Sequence, residues 1–259
     1  MKALITKNTI KHDLKQLGVC PNDVLIVHSS LKNIGNVVGG PVSIILALEE
    51  IISEQGTLVM PTFTENLCLP DDENVTKEEL GIIKENMPIF HKDLTPVDKV
   101  NGFLTEVFRK QDGVFRSNHP HLSFASWGKF AKEVVENHNF DYAMGEDSPL
   151  GKIYKLNGKV LLLGSPKDAV TALHLSEYSV KKLYNPGKKW QAKVLKDNRE
   201  QWIEYTDVDN NSDYFPDLID NYILKNNNYK YGKVGNADCF LFPLVSLIDF
   251  GKLWLEKNR

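Results

Sequence analysis

Three short, unbroken apolar runs constrain this chain more than any other feature: Val24-Leu25-Ile26-Val27, Leu58-Val59-Met60 and Val160-Leu161-Leu162-Leu163. A strand with one solvated face alternates apolar and polar residues. A continuous aliphatic run must instead be covered on both faces, as in a parallel sheet between two layers of helices. Between the first two runs, Gly39-Gly40-Pro41 opens a segment in which Ile44, Ile45, Leu48, Ile51 and Ile52 recur at helical spacing, with Pro41 suited to the first helical position. Strand, helix, strand is the βαβ order, whose crossover is right-handed. The third run follows a helix begun by Ser148-Pro149. After it, Ser165-Pro166-Lys167-Asp168 has the composition of a capping box and predicts a helix running through Val180.

The remaining segments fit the same plan. Helices are expected at 102–110, 215–225 and 244–254, and strands at 123–127 and near 238–241. Residues 185–214 turn polar and alternate around Asn198 like an antiparallel hairpin inserted into the same domain. Cys68 to Lys99, with an acidic cluster at Asp71-Asp72-Glu73, reads as a long surface excursion. The expected fold is a mixed, largely parallel α/β sheet flanked by helices, with a small antiparallel insertion, in one domain spanning 1–259.

Charge and cysteine usage narrow the function classes. A formal net charge of −3 provides no basic field for nucleic acid, while a cationic small molecule stays compatible. Cys20, Cys68 and Cys239 are far apart and in no C-x-x-C pair, which fits a reduced cytoplasm better than a disulfide framework. No stretch approaches the roughly 18 to 20 apolar residues of a membrane span, and the lysine-dotted start of the chain lacks the apolar run of a secretion signal. Apolar residues of the last helix, among them Leu244, Ile248 and Trp254, suit internal packing or a dimer contact, so both a monomer and a homodimer stay open.

Chemistry-bearing residues cluster in three places. Thr171, His174 and Glu177 stand at successive intervals of three, a polar stripe on one side of a helix that follows the carboxyl end of a buried strand. A histidine oriented by a carboxylate takes protons near neutral pH, although the same spacing also describes an ordinary surface pair. His28-Ser29-Ser30, beside the Gly39-Gly40-Pro41 helix start, suits an anionic ligand or an unremarkable β-to-α loop. Arg116, Ser117, His119 and His121 form the densest histidine and hydroxyl group. His119 and His121 lack the i,i+4 spacing of the helical zinc motif, so a turn that uses its imidazoles on backbone groups is favoured over a metal site. No Gly-x-Ser-x-Gly elbow marks a serine hydrolase.

Taken together, the motifs resemble those of the aminoglycoside 3-N-acetyltransferase family. The matching segments are Val27-His28-Ser29-Ser30-Leu31 with Ile34-Gly35 and Gly39-Gly40, Gly56 to Thr62, Arg116-Ser117 with His119-Pro120 and Ser123-Phe124, Gly145 with Ser148-Pro149-Leu150, and Gly158 to Gly164 leading into Thr171, Leu173, His174 and Glu177. They occur in order over most of the chain. The resemblance implies the antibiotic N-acetyltransferase fold, distinct from the commoner acetyltransferase superfamily, with transfer of acetyl from acetyl-CoA to an amine and no metal. It implies that His174 is the base, Glu177 its orienting carboxylate and Thr171 a donor to the developing oxyanion. It further implies that His28, Ser29, Ser30, Leu31, Gly35, Arg116, Ser117, Ser123 and Phe124 hold CoA. Glu65, Glu106, Glu146 and Asp147 are the candidate carboxylates for the ammonium groups of an aminoglycoside or other polyamine, which would make the protein an antibiotic-resistance enzyme. An acyltransferase for another amine or amino sugar, and a CoA-binding homologue without catalysis, are the alternatives.

Overall fold

The computed structural model describes residues 4–70, 75–180 and 187–259. The acidic cluster at 71–73 and the first two residues of the 185–214 segment lie outside them. In chain order the strands are β1 (Val24–Ser29), β2 (Thr57–Pro61), β3 (Phe115–Arg116), β4 (Phe124–Gly128), β5 (Lys159–Leu163), β6 (Lys188–Lys196), β7 (Arg199–Asp207), β8 (Lys230–Val234) and β9 (Ala237–Pro243). The helices are α1 (Lys7–Leu17), α2 (Leu31–Ile34), α3 (Gly40–Ile52), α4 (Lys77–Asn86), α5 (Gly102–Phe108), α6 (Ala131–Val135), α7 (Pro149–Lys155), α8 (His174–Glu177), α9 (Phe215–Lys225) and α10 (Leu244–Asn258).

The three apolar runs lie side by side. The main sheet has the order β3-β4-β2-β1-β5-β9-β8, with β1 parallel to both β2 and β5. The pairs β2–β4, β3–β4, β5–β9 and β8–β9 are antiparallel. Strands β3, β2, β1, β5 and β8 therefore point one way and β4 and β9 the other, a mixed sheet with a parallel centre.

Period-two alternation within the central strands divides the core in two. Val24, Ile26, Val59, Val160 and Leu162 pack on one face against α6, α7, α8, α9 and α10. Leu25, Val27, Leu58, Met60, Leu161 and Leu163 pack on the other against α1, α3 and α5. Pro41 lies in the first turn of α3, and Ser148 caps α7 by accepting from the Leu150 and Gly151 N–H groups, as their sequence context predicts.

β6 and β7 form a separate antiparallel hairpin. Its tip uses left-handed backbone at Asp197 (φ 51°) and Asn198 (φ 58°), residue types that tolerate that region and give a turn matching the twist of paired strands. The excursion at 68–99 is more than a surface loop. Cys68 bridges Ala192 of the hairpin, Phe90 is buried, and α4 begins with a capping box between Thr76 and Glu79. No helix among the described residues is long and apolar enough to cross a membrane.

Candidate active site

After β1 the chain leaves toward α2 and α3 on one face of the sheet, whereas after β5 it leaves toward α8 on the other. Adjacent parallel strands whose continuations part in this way open a crevice at their carboxyl ends, the usual ligand position in α/β sheets. A cleft of about 240 Å³ lies there, lined by His28 and Ser29 from the end of β1, Pro61, Phe63 and Glu65 after β2, and Ser165, Asp168, Thr171 and His174 after β5.

The segment after β5 differs from its expected form. Instead of one helix through Val180 it forms 3₁₀ turns at Lys167–Ala169 and Thr171–Leu173, and then the single α-turn of α8. Ser165 does not cap it, and Val170 (ψ 76°) interrupts the two turns. The reason is packing. Val170, Ala172, Leu173, Leu175 and Tyr178 are all buried, so the segment has no single apolar stripe to lay on the sheet. Two glycines allow its close fit: Gly164 turns the chain with φ +72°, and a Cβ on Gly251 of α10 would meet Ser176 Oγ at 2.5 Å. The expected stripe survives this change. A 3₁₀ turn repeats every three residues, so Thr171 and His174 still share a side.

His174 Nδ1 lies 2.6 Å from Glu177 Oε2. Glu177 is only 2 % exposed, and its other oxygen, Oε1, accepts from the Tyr214 hydroxyl and from the Asn211 N–H at 3.3 Å. A carboxylate held this way accepts Nδ1–H and fixes the tautomer that leaves His174 Nε2 unprotonated. The His174 ring packs on Phe215 with centroids 4.8 Å apart. Tyr214 and Asn211 are partners of Glu177 that the linear spacing could not reveal, because they reach it from the connection between β7 and α9.

His28, at the same mouth, is buried, and burial reinforced by the nearby His174 pushes its pKa down to about 3. Ser29 lines the cleft with it. Ser30 and Leu31 start α2, where the Ser30 N–H donates to the Leu163 carbonyl and Leu31 packs into the core. Gly35 ends α2 at φ +109°, facing Asn236. These three support the loop instead of lining the cleft.

Arg116, Ser117, Ser123 and Phe124 are buried. The Arg116 guanidinium donates to Thr62 Oγ1, Ser123 Oγ and the carbonyls of Thr62, Lys92 and Thr95. Ser117 donates to His138 Nδ1 and accepts from the Phe124 N–H. His119 Nδ1 accepts from the N–H groups of His121 and Leu122 while Nε2–H donates to the Phe140 carbonyl, so this imidazole serves backbone groups as its turn context predicts.

The four candidate carboxylates separate. Glu65 lines the cleft, where burial reinforced by Asp98 raises its pKa. Glu106 is already engaged: burial would raise its pKa, but bonds from Arg109, Lys110 and the Val97 N–H outweigh this and hold it at about 2. Glu146 and Asp147 line a different depression with Tyr142 and Tyr178. Asp168, expected only as a helix-start acid, faces the His174 cleft instead.

This arrangement has close parallels. The aminoglycoside 3-N-acetyltransferase family matches residues 26–256. The SPbeta prophage-derived aminoglycoside N(3')-acetyltransferase-like protein YokD of Bacillus subtilis is 38 % identical over 98 % of this chain and 93 % of its own, and its crystal structure superposes with a TM-score of 0.95 over 100 % of this chain and 96 % of that one. The aminoglycoside N(3)-acetyltransferase III of Pseudomonas aeruginosa is 33 % identical over 93 % of this chain and 90 % of its own. A structure of AAC-IIIb in binary complex with CoASH has a TM-score of 0.88 at 28 % identity, covering 98 % of this chain and 97 % of that one. With the His174–Glu177 pair at the mouth of the same sheet, the chain belongs to the aminoglycoside 3-N-acetyltransferase family.

Proposed function

We propose that this protein transfers an acetyl group from acetyl-CoA to an amino group of an aminoglycoside, the 3-amino group of the deoxystreptamine ring, with His174 as general base. The observation that carries the reading is the His174–Glu177–Tyr214 array, which leaves one imidazole nitrogen free at the cleft where β1 and β5 diverge. In the reaction the amine nitrogen forms a bond to the thioester carbonyl carbon and gives its proton to His174 Nε2. Glu177 stabilises the imidazolium, and the Thr171 hydroxyl donates to the carbonyl oxygen as it gains charge. The carbon–sulfur bond then breaks, and sulfur leaves with its electron pair and takes the proton as CoASH. Of the carried-over candidates His28 and Ser29 face the cleft, and the cytoplasm, where acetyl-CoA is available, is the proposed compartment.

A second reading has a specific basis. Among the described residues lining the cleft the carboxylates are Glu65 and Asp168, fewer than the ammonium groups of a typical aminoglycoside. An amino sugar or another amine with one or two positive charges also fits.

Purified protein given acetyl-CoA and separate panels of aminoglycosides and simpler amines, assayed for thiol release, distinguishes the two readings by acceptor class. His174→Ala is expected to lose about 10²- to 10⁴-fold in turnover; full turnover in that variant refutes the mechanism.

A further inference from the structure

The His28 imidazole is 8 % exposed, its Nε2 is buried without a hydrogen-bond partner among the described residues, and it shares a cleft with His174. Native proteins satisfy nearly all buried polar atoms, and an orphan destabilises the fold by the desolvation it leaves uncompensated. An apolar side chain continuing the Val24 and Ile26 face of β1 would avoid that cost. The imidazole is therefore explained by a partner that arrives with the ligand. Two roles do not suit this ring. A second base needs a ring that binds a proton readily, and an ion pair with phosphate needs a positive charge, whereas burial and His174 hold this ring neutral with a pKa of about 3. A neutral imidazole retains one N–H, which is the functional group of an oxyanion donor.

We propose that His28 donates a hydrogen bond to the carbonyl oxygen of the acyl thioester and forms, with Thr171, a two-donor oxyanion site; the assignment rests on the acetyl-transfer reading above. When the amine nitrogen bonds to the carbonyl carbon, the π pair moves onto oxygen, where the His28 N–H and the Thr171 O–H hold it. The pair returns as the carbon–sulfur bond breaks, and His28 ends the cycle with its proton in place. Its neutrality matters because His174 becomes cationic at that moment, and a second positive ring beside it would oppose the proton transfer.

The test compares His28→Leu and His28→Phe, which lack a donor, with His28→Gln, which retains one. Thiol release is expected to show kcat about 100-fold lower in the donor-less variants, with KM for acetyl-CoA and Kd for CoASH near wild type, and a partial recovery in His28→Gln. Isotope-edited infrared spectra of bound acetyl-CoA are expected to show a lowered carbonyl stretch in wild type that reverts in His28→Leu and His28→Phe. His28→Phe covers the case in which leucine is not tolerated. Unchanged kcat, an unshifted carbonyl in wild type, or a loss confined to KM and Kd overturns the proposal, the last by reducing His28 to a CoA contact. If wild type turns over no amine but shows the shift and its loss, the acetyl-transfer reading fails while the carbonyl contact stands. If acetyl-CoA does not bind, both fall.

Discussion

Glu177→Gln separates orientation by charge from orientation by tautomer. In the native site Glu177 Oε1 accepts from two donors, the Tyr214 hydroxyl and the Asn211 N–H, while Oε2 lies 2.6 Å from His174 Nδ1. A glutamine has one acceptor end and one donor end. The two donors at the Oε1 position select the amide oxygen there, which turns the NH₂ toward His174. Nδ1 must then accept, so the ring proton moves to Nε2, and the nitrogen that should take the amine proton no longer can. The analogous carboxylate-to-amide change in a serine protease triad lowers kcat by about 10⁴ for the same reason, or about 5.5 kcal/mol of barrier. We expect a loss of about 10³ to 10⁴ in kcat by thiol release, with KM for acetyl-CoA nearly unchanged. Glu177→Ala sharpens the comparison. It unfolds at lower temperature, because Tyr214 and Asn211 lose their acceptor, yet it leaves the tautomer free and should turn over faster than Glu177→Gln. A glutamine variant as active as wild type, or an alanine variant slower than the glutamine one at equal folded fraction, refutes the tautomer argument.

Two further expectations concern the interior. Arg116→Lys, which keeps the charge but has three donors for five acceptors, should cost about 2–4 kcal/mol in urea unfolding and leave KM for acetyl-CoA of the folded protein unchanged; a raised KM at unaltered stability would instead make Arg116 a CoA contact. His28, His119 and His121 have pKa values lowered to about 3, 4 and 3, and His138 lies well below its usual value, all chiefly through burial. The unfolded chain therefore binds more protons below pH ~6.5, and stability present at neutral pH is lost as pH falls from there toward 4, at up to about 1.4 kcal/mol per pH unit for each ring. A urea midpoint that stays flat between about pH 7 and 4.5 contradicts this.

The sheet was legible because its evidence is local. Each central strand declares itself within five residues, and Pro41 and Ser148-Pro149 mark where helices begin. The His174–Glu177 pair was legible for the same reason, since three residues separate its members. β8 was not, because Lys230-Tyr231-Gly232-Lys233 is a polar edge held by pairing with β9 and by contact with Leu17 of α1. The broken helix after β5 was misread because Ser165-Pro166 carries a helix-start signal that burial on all sides overrides. Beside Ser117, Arg116 reads as an anion contact, and the fold adds what spacing could not, three carbonyls arranged around its guanidinium.

Acceptor recognition follows from the same distinction between a charge and its partner. Glu106, Glu146, Asp147 and Glu65 are equivalent as acids in a sequence, but an ammonium group is drawn only to a carboxylate whose field is not already spent. Arg109 and Lys110, three and four residues beyond Glu106, are close enough on a helix to have disclosed its pairing. No neighbour in sequence could disclose that Glu146 and Asp147 line a different depression from His174, or that Asp168 lines the same cleft, since both follow from the fold. The charges that would choose a substrate are thus Glu65, whose burial raises its pKa and whose carboxylate gains from a cation, and Asp168 in the same cleft. Two acids lining one cleft with His174 favour an acceptor that carries more than one ammonium group.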